Sequence, residues 1–205
     1  FLFSALIGFV LERTLYVHVY RKPHLDQVLF TIGLVFMSVA AVDYVMGSSQ
    51  VFVQLPSWLQ GQDIVFGVGI GRYRLLIIVI CGLLTIALQL VLSRTRFGSR
   101  LRAAVDDARA ARGLGINVNR VFGLTFAFGS GLAGLGGALG AEILGLDPSF
   151  PLKFMIYFLI VVTVGGTSSI TGPFLAALLL GVGDVAGKYY VPSLGSFVIY
   201  TIMIV

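Results

Sequence analysis

Long apolar runs separated by short polar connections dominate the chain. The first run covers residues 1–11, and two further runs cover residues 28–46 and 75–93. A fourth run, residues 121–141, is rich in glycine. Because a helix of about 20 apolar residues crosses the hydrocarbon core of a bilayer, this pattern predicts a series of membrane-spanning helices.

The runs in the last third of the chain are shorter. Residues 154–164 and 173–187 flank the polar segment 165–172, and a final run covers residues 194–205. These stretches do not alternate as the strands of a membrane barrel do, and helices satisfy their own backbone groups in lipid. The sequence therefore predicts an all-α polytopic transmembrane helical bundle. Because both ends fall in apolar runs, we expect residues 1–205 to be one transmembrane domain truncated at both ends.

The composition agrees with a membrane environment. Of the 205 residues, 58% are hydrophobic and 11% are charged, whereas about a quarter of the residues in soluble domains are charged. The net charge of +5 is concentrated in residues 94–120, which contain seven arginines and two aspartates. Since the positive charge is confined to connections, we do not expect nucleic acid to be a partner.

The distribution of lysine and arginine predicts which side of the membrane each connection faces. Connections 12–27, 94–120 and 165–172 fall on one side and carry ten basic residues, whereas the opposite connections carry four. Connections rich in lysine and arginine stay in the cytosol. We therefore expect residues 94–120 to form a cytosolic loop.

The arginine-rich loop also shows helical periodicity. Apolar residues recur at helical spacing over residues 99–112, which predicts a short amphipathic helix. Ser99 is the expected N-cap of this helix. Gly113 and Gly115 are expected to end it, because a helix rarely continues through two glycines.

The two faces of the predicted helix suggest different roles. On the polar face, Asp106 is spaced to pair with Arg102 and Arg109. An interfacial helix on anionic lipid would need only the positive charge. The other face is rich in alanine, which is a poor lipid anchor but suits a groove in a protein. This face therefore favours a cytosolic protein partner over lipid.

Residues that could carry enzymatic chemistry are sparse. Residues 129–134 match the dinucleotide pattern GxGxxG, but they lie inside an apolar helix and do not follow a strand. His18 and His24 have no second set of ligands nearby, so we expect no metal site. No catalytic residue is apparent, and the chain is predicted not to be an enzyme.

The glycines of the fourth run have a simpler explanation. Small residues at every fourth position let neighbouring helix backbones approach closely. Gly129, Ala133 and Gly137 form one such face, and Gly134 belongs to a second. These residues are predicted to pack against other helices.

The polar segment 165–172 allows two interpretations. Interrupted helices supply free backbone groups and hydroxyls to the substrate pathway of many transporters. A tight cytosolic turn between two helices accounts for the same pattern. In the first interpretation, the substrate-pathway residues are Gly165, Gly166, Thr167, Ser168, Ser169 and Gly172.

Two segments resemble the membrane permease of the branched-chain amino acid ABC importers, the high-affinity type supplied by a periplasmic binding protein. They read FGSRLRAAVDDARAARGLGIN in the loop and VVTVGGTSSITGPFLAALLLGVGD beyond the fourth run, and the resemblance covers nearly the whole chain. It implies that the loop couples the permease to an ATPase. The implied coupling residues are Arg100, Arg102, Ala103, Ala104, Asp106, Asp107, Arg109, Gly115, Ile116 and Asn117.

The resemblance also implies a function and a set of partners. It implies a permease of the bacterial inner membrane that pairs with a second permease, homologous or identical, and with two cytosolic ATPases. ATP would be used by those ATPases, so no cofactor is expected in this chain. Sister permeases for urea and short amides share the loop, and such amides or other amino acids are the alternative substrates. An ion-coupled secondary transporter and a membrane scaffold are alternative functions.

Overall fold

A computed structural model shows that the chain is predominantly helical. It describes residues 1–19, 22–47, 49, 51, 53–56, 59, 61–65, 68–166 and 169–190. Within these residues, one two-stranded hairpin and one isolated bridge are the only extended pairings, so the all-α class is confirmed. The predicted apolar run at residues 194–205 lies outside the described residues.

The elements follow one another with short connections. In chain order they are α1 (Leu2–Leu11), a π-helical segment (Glu12–Tyr16), α2 (Val17–Val19), α3 (His24–Met46), β1 (Gln62–Val65), β2 (Val68–Gly71), α4 (Arg72–Arg94), α5 (Arg96–Asp106), α6 (Ala108–Gly113), α7 (Val118–Leu144), α8 (Phe150–Gly165) and α9 (Thr171–Tyr190). Four helical stretches in the described residues are long and apolar enough to cross a membrane, namely Leu2–Val19, Leu25–Met46, Arg72–Arg94 and Val118–Leu144.

The first helix is longer than the sequence suggested. The prediction that a connection begins at Glu12 is wrong, because the chain stays helical through the π-helical segment to Val19. Glutamate and arginine are good helix formers, and no glycine or proline follows until Pro23. The guanidinium of Arg13 lies 5.6 Å from the ring centroid of Phe9, so its charge also interacts with the helix surface.

Contacts divide the chain into two compact units. The first comprises Phe1–Ile80 and Leu90–Phe150, and the second comprises Cys81–Gln89 and Pro151–Val205. The first unit is built around α1 and α7, which run antiparallel in close contact. The prediction of a single transmembrane domain stays a prediction.

Small residues bring α1 and α7 together. A Cβ atom added to Gly134 would lie 2.5 Å from Cβ of Ser4, and one added to Gly8 would overlap the side chain of Ser130. Real Cβ atoms do not approach other atoms this closely. Each glycine therefore packs directly against a serine side chain of the opposite helix, as in other membrane helix pairs that use small residues.

The connection between α3 and α4 folds onto the end of α7. Strands β1 and β2 pair antiparallel, with Gln62 opposite Gly71. Two backbone hydrogen bonds, of 3.0 and 2.8 Å, join Val51 to Leu146 just beyond α7. The hydroxyl of Tyr73 donates a 2.8 Å hydrogen bond to the carbonyl of Leu139. These contacts hold the start of α4 beside the end of α7.

No residue in the apolar stretches of helices α3 and α4 is buried. Their hydroxyl groups bond to the helix itself, as in the 2.6 Å hydrogen bond from Thr31 to the carbonyl of Gln27 and the 2.8 Å bond from Thr85 to that of Cys81. Hydroxyls satisfied in this way can face lipid at little cost. The surfaces of these helices are therefore compatible with a bilayer or with another membrane helix.

Candidate functional site

The arginine-rich loop is two helices with a break between them. Sequence periodicity predicted a single helix over residues 99–112, and that prediction is wrong. Helix α5 ends at Asp106, Asp107 has the extended dihedral angles φ −147° and ψ 100°, and α6 follows. The second helix ends at Gly113, as the sequence predicted.

The loop begins earlier than its periodicity suggested. Thr95, not Ser99, is the N-cap, and its hydroxyl oxygen accepts a 3.3 Å hydrogen bond from the amide of Gly98. Ser99 lies inside the first turn of α5 and donates its own hydroxyl to the carbonyl of Arg96. Both residues suit an N-cap by type, so the choice between them depends on the end of α4.

Asp107 is the N-cap of α6. Its Oδ1 atom accepts hydrogen bonds of 2.8 Å from the amide of Arg109 and 3.0 Å from that of Ala110. These two bonds hold the pKa of the exposed Asp107 carboxyl below its usual range. A carboxylate at this position also interacts favourably with the positive end of the helix.

We expect protonation of Asp107 to destabilise α6. Because the carboxyl pKa is lower in the folded loop than in the unfolded chain, its contribution is fully present above the ordinary aspartate pKa. That contribution is lost as pH falls through the lowered value. Hydrogen exchange at neutral pH should show faster amide exchange across α6 in Asp107→Ala. Asp107→Asn, which keeps a capping oxygen but loses the charge, should show exchange between that of the wild type and that of Asp107→Ala. Equal exchange in all three proteins would contradict a capping role.

The predicted pairs of Asp106 with Arg102 and Arg109 do not form. The Arg102 side chain instead donates a 2.5 Å hydrogen bond to the carbonyl of Leu92 at the end of α4. Because the helix is interrupted at Asp107, Asp106 and Arg109 belong to different helices. Asp106 has no ion-pair partner in the described part of the chain.

The alanine-rich face of the loop is buried within the chain itself. Ala104 and Ala111 are each 1% exposed and form a cluster with Val118 and Val121 at the start of α7. The expectation that this face docks in a partner's groove is therefore wrong. Small side chains are needed here because α5 and α6 pack directly against α7.

The surface that remains free on the loop is mixed in character. Val105 is 67% exposed and Leu114 is 80% exposed, and Arg100 and Arg109 are also exposed. A cleft of about 490 Å³, which we call the Arg100 cleft, lies at the base of the loop. Its lining residues are Phe97, Arg100, Leu114, Gly115, Ile116, Asn117, Arg120, Val121 and Leu124.

The return from the loop into α7 is fixed by hydrogen bonds. Gly115 has φ +79°, a conformation that favours glycine, and its amide donates to the carbonyl of Arg112. Ile116 donates a 3.0 Å backbone bond to Ala111. The side-chain oxygen of Asn117 accepts from the amide of Arg120 and caps α7. The carbonyl of Ala103, another of the predicted coupling residues, accepts a hydrogen bond from the amide of Asp107.

The segment 165–172 joins two helices that contact each other. Gly166 has φ +74°, and a Cβ atom on Gly165 would come within 2.7 Å of the carbonyl carbon of Gly172. Ile160 of α8 and Leu180 of α9 form a buried pair further along the hairpin. Ser169 accepts a 3.2 Å bond from the amide of Gly172, whereas residues 167–168, Thr167 and Ser168, lie outside the described residues. The role of this segment in a substrate pathway stays a prediction.

The predicted packing residues of α7 differ in their surroundings. Gly134 meets Ser4 of α1, whereas a Cβ on Gly129 or Gly137 would have no neighbour within 4 Å among the described residues. Ala133 is exposed on the same side as Gly129. No described residue covers the face formed by Gly129, Ala133 and Gly137, so this face is suited to contact with another chain or with lipid.

Glu12, which the sequence predicted to lie just beyond the first helix, is a buried carboxylate. It is 2% exposed, and its Oε2 atom has no hydrogen-bond partner among the described residues. Gly123 of α7 faces it, since a Cβ there would lie 3.0 Å from Oε2. The residue opens the π-helical segment, and such segments often occur at functional sites. In the sequence, the signal that could have revealed this site is that Glu12 is a charged residue between two apolar runs.

Together, these features define a multi-pass membrane protein with a folded polar loop between α4 and α7. The chain belongs to the family described as the permease component of the branched-chain amino acid transport system, whose model matches residues 1–205. This is a family of transport subunits that are not enzymes, in agreement with the sequence prediction.

Individual relatives are similar over most of the chain. The high-affinity branched-chain amino acid transport system permease protein LivH of Salmonella typhimurium is 29% identical over 192 residues, covering 91% of this chain and 62% of LivH. BraD of Pseudomonas aeruginosa, described in the same words, is 30% identical and covers 90% of this chain and 61% of its own length. The chain thus spans about three fifths of these curated relatives. No solved structure matches it.

Proposed function

We propose that the chain is the membrane-spanning core of a permease subunit in an ATP-driven importer of branched-chain amino acids. A periplasmic binding protein would deliver the substrate, and a second permease would complete the pathway across the inner membrane. Two cytosolic ATPases would hydrolyse ATP, so this chain would need no cofactor. The family match along the whole chain supports the transport role.

The proposal that the loop couples transport to ATP hydrolysis rests on the attachment of the loop to two membrane helices. Helices α5 and α6 are fixed to α7 by the buried alanine cluster and to α4 by the hydrogen bond from Arg102 to Leu92. Movement of the loop would therefore be transmitted to two membrane-spanning helices together. The exposed Val105, Leu114 and Arg109 would contact the ATPase, in place of the alanine face.

A charge placed at Val105 tests this contact. We expect Val105→Glu in the full-length permease to reduce ATP-coupled leucine uptake at least about tenfold, because a buried unpaired carboxylate would weaken docking. Val105→Thr has the same shape without the charge and should keep most of the activity. The measurement is uptake into vesicles that contain the permeases and ATPases, with the binding protein added. Wild-type uptake by Val105→Glu would exclude this surface as the docking site.

Glu12 favours ion-coupled transport as a second candidate function. A buried carboxylate without a partner, inside a helix long enough to span a membrane, is what proton-driven transport requires. The same vesicles separate the two mechanisms when the ATPases are omitted and a proton gradient is imposed. Uptake under those conditions would support the ion-coupled mechanism, and its absence would support ATP coupling.

A further inference from the structure

A second cleft lies at the opposite end of α7 from the arginine-rich loop. It has a volume of about 540 Å³, and we call it the Glu142 cleft. Its lining residues are Leu55, Leu59, Gly61, Gly71, Tyr73, Arg74, Glu142 and Ile143. On α7, Arg120 of the Arg100 cleft precedes Glu142 by 22 residues, so the two clefts are about 33 Å apart along the helix axis.

The Glu142 cleft combines two opposite charges with an apolar wall. Arg74 belongs to the first turn of α4, and Glu142 to the last turn of α7. Neither side chain has an ion-pair partner among the described residues, although both line the same cleft. Leu55, Leu59 and Ile143 supply the apolar part of the lining.

The walls of the Glu142 cleft are tied together by hydrogen bonds from three segments. Tyr73 bonds to Leu139, and the amide of Arg72 donates a 3.0 Å bond to the carbonyl of Gly61. The paired backbones at Val51 and Leu146 fix the connection to the end of α7. A site held in this way loses little conformational freedom when a ligand binds.

We infer that the Glu142 cleft binds the transported amino acid as a zwitterion. The planar guanidinium of Arg74 suits an α-carboxylate, the Glu142 carboxylate suits an α-ammonium group, and the leucine and isoleucine side chains suit an aliphatic substrate side chain. This inference rests on the proposed transport of branched-chain amino acids, and the predicted topology places the cleft on the side that receives the substrate. The cleft would act as the acceptor site for an amino acid released by the binding protein.

The charges discriminate between this ligand and the alternatives. Urea and short amides have neither a carboxylate nor an ammonium group, so they would leave Arg74 and Glu142 without an ion-pair partner in the cleft. An amino acid would instead make charge-assisted hydrogen bonds to both side chains, which are stronger than hydrogen bonds between neutral groups. The cleft therefore favours amino acids over amides as the substrate class.

Equilibrium binding to the purified full-length permease, without ATPase or binding protein, tests the assignment. The probes are leucine, leucinamide, which lacks the carboxylate, and 4-methylpentanoate, which lacks the ammonium group. We expect leucine to bind about ten- to a hundredfold more tightly than either analogue, as hydrogen bonds to charged groups imply. Arg74→Gln should weaken leucine binding by the same factor and leave leucinamide unchanged.

Glu142→Gln should give the complementary result. It should weaken leucine binding by a similar factor and leave 4-methylpentanoate unchanged. Asp43→Asn, which removes an exposed carboxylate from the last turn of α3, is the matched control and should bind all three ligands normally. Arg74→Lys keeps the positive charge and should retain part of the affinity if Arg74→Gln fails to fold.

The possible outcomes distinguish failure of the zwitterion site from failure of the proposed transport function. Equal effects of each substitution on all three ligands, or no effect, would overturn the zwitterion site even if wild-type vesicles transport leucine. Normal leucine binding combined with lost uptake in both variants would overturn it in favour of a docking surface for the binding protein. Binding of acetamide but not leucine would overturn the substrate class. Absence of ATP-coupled leucine uptake by wild-type permease would contradict the proposed function alone.

Discussion

Gly98→Ala in the full-length permease is expected to abolish ATP-coupled uptake. A Cβ atom at this position would lie 2.6 Å from the carbonyl carbon of Leu92 and closer still to its oxygen. These are backbone atoms at the end of α4 and cannot move aside as a flexible side chain can. The loop would have to separate from α4, and the hydrogen bond from Arg102 to Leu92 would be lost.

Vesicle uptake with ATPases and binding protein is the measurement for Gly98→Ala. Gly113→Ala is a matched control in the same loop, because a Cβ there meets nothing within 4 Å among the described residues. Alanine is also the better helix former, by about 1 kcal/mol, so the control should be at least as stable as the wild type. Normal uptake by Gly98→Ala would show that the contact between α4 and α5 has no part in coupling.

The loop shows what a sequence pattern can and cannot predict. Its helical content and its end at Gly113 follow from local preferences, and both were predictable. The break at Asp107 was not, because an aspartate suits both a polar helix face and an N-cap. Nor does an alanine-rich face reveal whether it packs on another protein or on the same chain. Here the start of α7 covers Ala104 and Ala111.

The Glu142 cleft could not be predicted because its parts are distant in sequence. Its lining residues from the connection, from α4 and from α7 are brought together by the hairpin of β1 and β2, the pairing of Val51 with Leu146 and the hydrogen bond from Tyr73 to Leu139. The sequence indicated only a glycine-containing connection at this end of the helices. Glu12 was misread for a related reason, since its burial depends on a glycine more than a hundred residues away.

Glycine at the contact between α1 and α7 is expected to control the stability of the first unit. Gly134→Leu would force a branched side chain into the space occupied by Ser4. Overpacking of this kind costs about 3 kcal/mol at the upper end of its usual range. For a chain of 205 residues, this corresponds to a fall in Tm of roughly 6–12 °C.

Gly136→Leu provides the comparison within the same helix. A Cβ at Gly136 has no neighbour within 4 Å in the described residues, so leucine can extend into open space or lipid there. Replacing glycine also favours the helix by several tenths of a kcal/mol. Thermal unfolding of both full-length variants in the same lipid nanodiscs should therefore lower Tm for Gly134→Leu alone. Equal Tm values would mean that α1 and α7 do not pack through this glycine in the membrane, and the buried position of Glu12 between them would lose its support.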